Sequence, residues 1–314
     1  MNPYTYQRNE LASNTHLKET TPRWLRYTVD FPSACITSYK ENNSVFGEYF
    51  QPRYADSAPL AIIVHGWGDR SIMPCRLLAR TLAKKGIASF ILYMVFHSSR
   101  MPEAIRNRAP IFLTQEEWFE GYRASVIEIS QIIDWASSRP ELASEQVAVI
   151  GISLGGFVSA IAMGLDKRIK AGVFLVTGGN SEKITWNTRS QSIVEGHDCT
   201  KAECRQAHSQ YPQYLAEIAE KGFDNVTPVK ECFLTDTLTF APYLRGRSIL
   251  MLNALWDETI PKEATLDFWE ACHKPSIVWL PGTHVTFWLW YPLIERKTAG
   301  FLASTFGIST KRPT

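Results

Sequence analysis

Three residues in this chain are spaced so that they can do chemistry together. Ser153 sits in Gly151-Ile152-Ser153-Leu154-Gly155, after the apolar, β-branched run 147–150 and before the apolar run 157–163. The first run reads as a buried strand and the second as a helix. A strand that turns sharply into a helix at a serine holds that residue in a strained backbone, with its hydroxyl raised above the sheet edge. The flanking glycines leave room for the crossing. The start of the helix aims backbone N–H groups at the same point, where negative charge would develop. A serine hydroxyl is a weak nucleophile; it needs a base within hydrogen-bond reach and an acid to orient that base. For this strand–turn–helix unit the chain order is serine, acid, histidine. Asp257 follows the apolar run 248–253, and His284 follows the run 276–280. The chemistry implied is attack by Ser153 on an acyl carbon, with His284 carrying the proton and Asp257 steadying His284.

Other residues compete for these roles. Glu258 stands beside Asp257 and is the rival acid. Of the seven histidines, His16 lies in a polar N-terminal stretch, His273 ends a helix, and His197 and His208 fall in a polar region after residue 178. His97 lies near the same sheet edge and is a candidate substrate contact. Only His284 follows the last strand, where the base is required. Two donors should face the developing oxyanion: the Leu154 N–H, just after the serine, and the Trp67 N–H, in His65-Gly66-Trp67-Gly68 after the run 60–64. His65 reads as a structural hydrogen bonder in that loop.

The elements that must hold these residues alternate. Strand-like runs at 27–31, 34–39 and 45–50, with a turn at Asn42-Asn43, suggest an antiparallel edge, and residues 1–25 read as a polar arm. Then come a strand at 60–64, a helix over about 71–85, a strand at 88–94, an irregular segment at 95–114 and a long helix over 116–135. After the serine turn come strands at 171–176, 248–253 and 276–280, a helix over 262–272 and a last helix to about 306. Alternation at this spacing predicts an α/β protein with a mostly parallel central sheet flanked by helices. Residues 178–244 interrupt it with helical fragments, and read as a helical cap inserted into one domain spanning 1–314.

Composition narrows the classes. The chain has 314 residues, 45% hydrophobic and 20% charged, with a net charge of +2 from nearly balanced signs and no basic cluster, so nothing favours nucleic acid. No apolar stretch is long enough to span a bilayer, and the N-terminus lacks a signal-peptide core, so the expected compartment is the cytoplasm with its six cysteines as free thiols. Cys199, Cys204, His197 and His208 are in principle a zinc set, but their spacing fits no finger or ribbon, and no metal is expected. Phe287, Trp288, Trp290 and Tyr291 read first as packing of the last helix, and second as a pocket wall.

Taken together, His65-Gly66 after a strand, Gly151-x-Ser153-x-Gly155, Asp257 with Ile260-Pro261 behind it, and Gly282-x-His284 make the chain resemble an α/β-hydrolase-fold serine esterase over about residues 30–306. The resemblance implies hydrolysis of a small-molecule carboxylic ester through an acyl-enzyme, with no metal or organic cofactor. The candidate substrate-binding residues are Phe96, His97, Trp186, Val285 and Trp288. An amidase or peptidase of prolyl-oligopeptidase type, a thioesterase or lipid deacylase, and a non-catalytic binding protein stay open as alternatives. The sequence is silent on oligomeric state.

Overall fold

The computed structural model describes residues 2–8, 10–67, 72–107, 113–195 and 199–308. Its centre is a nine-stranded sheet of order β1-β2-β3-β5-β4-β6-β7-β8-β9. The strands are β1 (Asn14–Thr20), β2 (Trp24–Pro32), β3 (Ser44–Pro52), β4 (Ala58–Val64), β5 (Ala88–Leu92), β6 (Leu142–Ile152), β7 (Ile169–Leu175), β8 (Ser248–Ala254) and β9 (Ser276–Leu280). The first three pair antiparallel, β3 pairs antiparallel with β5, and the remaining six strands are parallel. The predicted fold class is therefore the observed one.

Both faces of the parallel strands are covered, which is why they are apolar without alternation. Leu60, Ile62 and Val64 of β4 face one core, shared with α3 (Gln115–Ser137) and α4 (Leu154–Leu165). Ala61 and Ile63 face the other, shared with α1 (Ile72–Ala83) and α12 (Tyr291–Thr305). The chain steps from β4 to β5 on one side, then returns across β4 to β6 on the other. That reversal opens a crevice at the carboxyl ends of β4 and β6, the usual place for a ligand in an open α/β sheet. Val64 pairs with Gly151, so the loop after β4 and the turn after β6 leave the sheet side by side.

Four residues between β5 and α3 form α2 (Glu103–Arg106). Between β7 and β8 lie α5 (Ser181–Asn187), α6 (Gln191–Glu195), α7 (Lys201–His208), α8 (Tyr211–Lys221), α9 (Cys232–Thr235) and α10 (Thr237–Phe240). Tyr211, Tyr214, Phe233 and Phe240 of this insertion are buried in the same core as α3 and α4. The helix α11 (Lys262–Ala271) connects β8 to β9.

Two expectations are corrected. Residues 14–20, read as part of a polar arm, form the edge strand β1; its side chains are mostly exposed, so no apolar periodicity marks it. Residues 34–39 are not a strand. Their backbone is bonded by side chains instead: Ser33 Oγ accepts the Cys35 N–H (3.2 Å), Gln131 Oε1 the Ala34 N–H (2.9 Å), and Asn43 Oδ1 the Thr37 N–H (2.8 Å). Polar side chains of this kind compete with ladder pairing.

The irregular segment after β5 is fixed by a buried ion pair. Arg100, 2% exposed, makes two bonds to Glu128 of α3, 0% exposed, at 2.6 and 2.7 Å. It also donates to the carbonyls of Tyr93 and Asn42, both at 2.8 Å. The Ser33 hydroxyl donates to the same Glu128 carboxylate at 2.8 Å. Breaking such a pair strands a charge in the core. Arg100→Met should lower the unfolding free energy by about 3–5 kcal/mol in urea titration; a loss below about 1 kcal/mol would mean that Glu128 is not committed to Arg100.

Candidate active site

The serine turn is built by close approach. A Cβ on Gly151 would strike the Gly155 carbonyl, and one on Gly155 would strike the Val64 and His65 carbonyls, so α4 begins pressed against the ends of β6 and β4. Ser153 itself takes φ 50° and ψ −117°, a conformation an L-residue adopts only under constraint. Its N–H donates to the Leu175 carbonyl at 2.8 Å, and its carbonyl accepts the Gly156 N–H at 2.8 Å. Both ends of the strained residue are thereby tied, one to β7 and one to α4.

Three side chains from three strand ends meet there. His284 Nε2 lies 3.0 Å from Ser153 Oγ. His284 Nδ1 lies 2.8 Å from Asp257 Oδ2 and 2.9 Å from Oδ1. Asp257 Oδ1 also accepts the N–H groups of Thr259 (2.9 Å) and Ile260 (2.8 Å), which fix the carboxylate in place. The Asp257 side chain is 4% exposed and the imidazole 17%, so the contact is largely screened from water while the serine end stays open. Glu258 does not face the imidazole; its Oε2 accepts the main-chain N–H of His284 at 2.9 Å.

The loop after β4 runs along the other side of the serine. A Cβ on Gly66 would lie 3.3 Å from Ser153 Cβ. His65 is wholly buried, with Nδ1 donating to the Gly66 carbonyl (2.6 Å) and Nε2 accepting the Met94 N–H (3.1 Å). Those bonds require the neutral ring, and burial with the nearby His97 ring holds its pKa down to about 3. His65 thus stitches the Gly66–Trp67 turn to the end of β5. Gly68 lies outside the described residues.

Beside Ser153 is a narrow apolar cleft, lined by Trp67, Phe96, His97, Trp118, Leu154 and Val158, with Tyr122 and Ser125 also in its wall. The Trp67 ring meets the His97 ring edge-on at 4.9 Å and lies 5.6 Å from Trp118. His97 Nδ1 donates to the Val95 carbonyl at 2.8 Å. Of the expected site residues, Trp67, Leu154, Phe96 and His97 come together here. Val285 is 73% exposed next to His284. Trp186 is on α5, away from this wall, and Trp288 packs edge-on against Phe287 (5.4 Å) on the α1/α12 core. Trp118, Gly121, Tyr122 and Ser125 on α3 went unnoticed in the sequence, although their i, i+3, i+4, i+7 spacing marks one helix face.

None of the six cysteines forms a disulfide in the structure. Cys204 Sγ is 3.6 Å from His208 Nδ1, but that nitrogen donates to the Cys204 carbonyl (3.0 Å) and Nε2 pairs with Ser181 Oγ (3.0 Å). Among the described residues no three His, Cys, Asp or Glu side chains are grouped to hold a metal; His197 and Asp198 lie outside them. No helix among the described residues is long and apolar enough to cross a membrane.

A nine-stranded, mostly parallel sheet with a serine turn after one central strand, and an acid and a histidine after later strands, defines the α/β-hydrolase fold. More narrowly, residues 41–298 match the family described as alpha/beta hydrolase domain containing 18, and the chain belongs to that family. Among solved structures, an acetyl xylan esterase from Paenibacillus sp. R4 is 18% identical with a TM-score of 0.66, covering 94% of this chain and 89% of the other. Acetyl xylan esterase 1 from Thermoanaerobacterium sp. JW/SL YS485 is 13% identical with a TM-score of 0.60, covering 93% and 89%. At these identities the likeness is one of fold. An uncharacterized protein of Mycobacterium tuberculosis (strain ATCC 25618 / H37Rv), Rv2627c, is 22% identical over 168 residues, 53% of this chain and 34% of its own length. The chain thus spans about a third of the length of the curated relatives it matches.

Two outcomes follow from this geometry. Ser153→Gly removes backbone strain that Ser153→Ala keeps, so the glycine variant should unfold with about 1 kcal/mol or more of extra stability over the alanine variant. Equal melting temperatures would show the turn to be unstrained. His65 has its pKa lowered from 6.5 to about 3, so the unfolded chain binds a proton that the folded chain refuses between those values. Its contribution is intact above pH 6.5 and is lost as pH falls towards 3, with a slope of up to about 1.4 kcal/mol per pH unit. Urea titrations between pH 7.5 and 4.5 should show a shallower acid loss for His65→Asn than for the parent.

Proposed function

We propose that this chain is a carboxylic-ester hydrolase that works through an acyl-enzyme on Ser153. The observation that carries the reading is the unbroken Asp257–His284–Ser153 hydrogen-bond chain, at 2.8 and 3.0 Å, opening onto the apolar cleft. In this reading Ser153 Oγ attacks the ester carbonyl carbon while His284 Nε2 takes its proton. Asp257 holds the ring so that Nε2 faces the serine, and stabilises the imidazolium that forms. The Leu154 and Trp67 N–H groups receive the oxyanion, and the alcohol leaves with the proton held on His284. Water then repeats the sequence and frees the acid.

The cleft takes the acyl group. Narrow and walled by Trp67, Phe96, Trp118 and Val158, it suits a short apolar chain better than a long one. The names of the two acetyl xylan esterases agree with a short acyl preference. The insertion serves as a cap beside the alcohol side, supported by Arg189 N–H donating to the Glu258 carbonyl at 2.8 Å. A cytoplasmic setting fits six cysteines that form no disulfide.

A series of p-nitrophenyl esters of increasing acyl length tests the reading. Turnover should be highest on short chains, and fall by roughly 10³-fold or more in Ser153→Ala and in Asp257→Asn. Val158→Ala should move the preference towards longer chains. Wild-type turnover in Ser153→Ala would end the proposal, and an unmoved chain-length profile in Val158→Ala would remove the cleft as the acyl site.

A further inference from the structure

The second carboxylate of the acid loop has a place that its neighbour's role does not explain. Glu258 is half-buried, and its Oε2 accepts the main-chain N–H of His284 at 2.9 Å. The two acids of the loop therefore grip the same histidine at different atoms, Asp257 at the ring and Glu258 at the backbone. A main-chain bond fixes where the residue stands; a ring bond fixes only how it turns.

The Glu258 backbone is held in turn by the insertion. Its carbonyl accepts the Arg189 N–H at 2.8 Å and the Thr188 hydroxyl at 3.1 Å. The same hydroxyl lies 3.0 Å from the Thr259 carbonyl and so shares its proton between the two. Thr188 Oγ1 also accepts the Ser190 N–H at 3.0 Å, which locks the 188–190 turn. One residue further back, Asn187 Nδ2 donates to Glu263 at the start of α11 at 3.1 Å. A short stretch between α5 and α6 thus spans the acid loop from Glu258 to Glu263.

We propose that Glu258 is a positioning residue that sets the place of His284 through its main-chain N–H, and that the 188–190 turn of the insertion sets the place of Glu258. It rests on the esterase reading above, since it assigns a role relative to His284 as base. What matters is a hydrogen-bond acceptor at Oε, not a negative charge. Reacting groups lose rate steeply with small displacement, so the effect belongs in kcat while substrate binding in the cleft is untouched.

The test compares Glu258→Ala, Glu258→Gln, Thr188→Val and Thr188→Ser on the short-chain ester that serves best, with Ser153→Ala as reference. Glu258→Ala should lower kcat by roughly 10- to 100-fold with KM unchanged. Glu258→Gln, which keeps an acceptor oxygen, should restore kcat to near the parent value. Thr188→Val should lower kcat by about 2- to 10-fold, the loss of one hydrogen bond, and Thr188→Ser should restore it. The His284 amide proton resonance should move upfield in Glu258→Ala and stay in place in Glu258→Gln. A parent-like kcat in Glu258→Ala, or a loss in Glu258→Gln as deep as in Glu258→Ala, would overturn the proposal. Should Glu258→Ala fail to fold, the Thr188 pair decides it alone: a parent-like kcat in Thr188→Val would overturn the proposal. Activity surviving in Ser153→Ala is a different failure, that of the esterase reading itself.

Discussion

Everything at the site depends on how closely α4 can approach the ends of β4 and β6. Main chain packs on main chain there: Gly155 lies against the Val64 and His65 carbonyls, and Gly151 against the first turn of α4. A side chain at either position would push the helix away and let Ser153 relax from its positive φ. The approach places the helix start, the loop after β4 and the serine hydroxyl within a few ångströms. The parallel register that pairs Val64 with Gly151 makes this possible, because both strands end at the same level.

The second constraint is the buried Arg100–Glu128 pair. Two desolvated charges add little net stability, since their attraction roughly offsets the cost of leaving water. Their value lies in place. Arg100 fastens the segment after β5, where Phe96 (φ 61°) and Ser98 (φ 53°) hold unfavourable backbone angles, to α3 and to the Asn42 carbonyl. Phe96 and His97 from that segment, and Trp118 and Tyr122 from α3, line one cleft, with Phe96 close against Gly121 of α3. The ion pair therefore fastens two of the elements that line the cleft to each other, and His65 ties the same segment to the loop after β4 through the Met94 N–H.

Much of this was legible in the sequence because it rests on local pattern. Buried parallel strands are continuous apolar runs, and the glycine–serine turn has few alternative uses between a strand and a helix. Strand ends then put Asp257 and His284 beside Ser153, and the structure has the three side chains within hydrogen-bond distance. What was hidden depends on distant partners. The edge strand β1 pairs through its backbone and through polar side-chain pairs, Asn14–Asp30 and Glu19–Arg26, that leave no apolar pattern, and residues 34–39 are bent by bonds from Gln131 and Asn43. Asp257 and Glu258 differ in which atom of His284 they meet, a distinction no spacing rule contains. Trp186 and Trp288 are aromatic residues at plausible positions that turn to other neighbours, while the α3 face lining the cleft looked like ordinary core. The insertion shares its aromatic side with the main core, so its fold is set by surfaces that a linear reading does not bring together.

The central claim is that Ser153 is a nucleophile made reactive by its two partners. Mass-spectrometric mapping after brief treatment with a fluorophosphonate probe tests it most directly. The account predicts a single adduct on the peptide that carries Ser153, absent in Ser153→Ala and formed much more slowly in His284→Gln. No adduct on the native chain, or one on another residue with Ser153 unmodified, would contradict it.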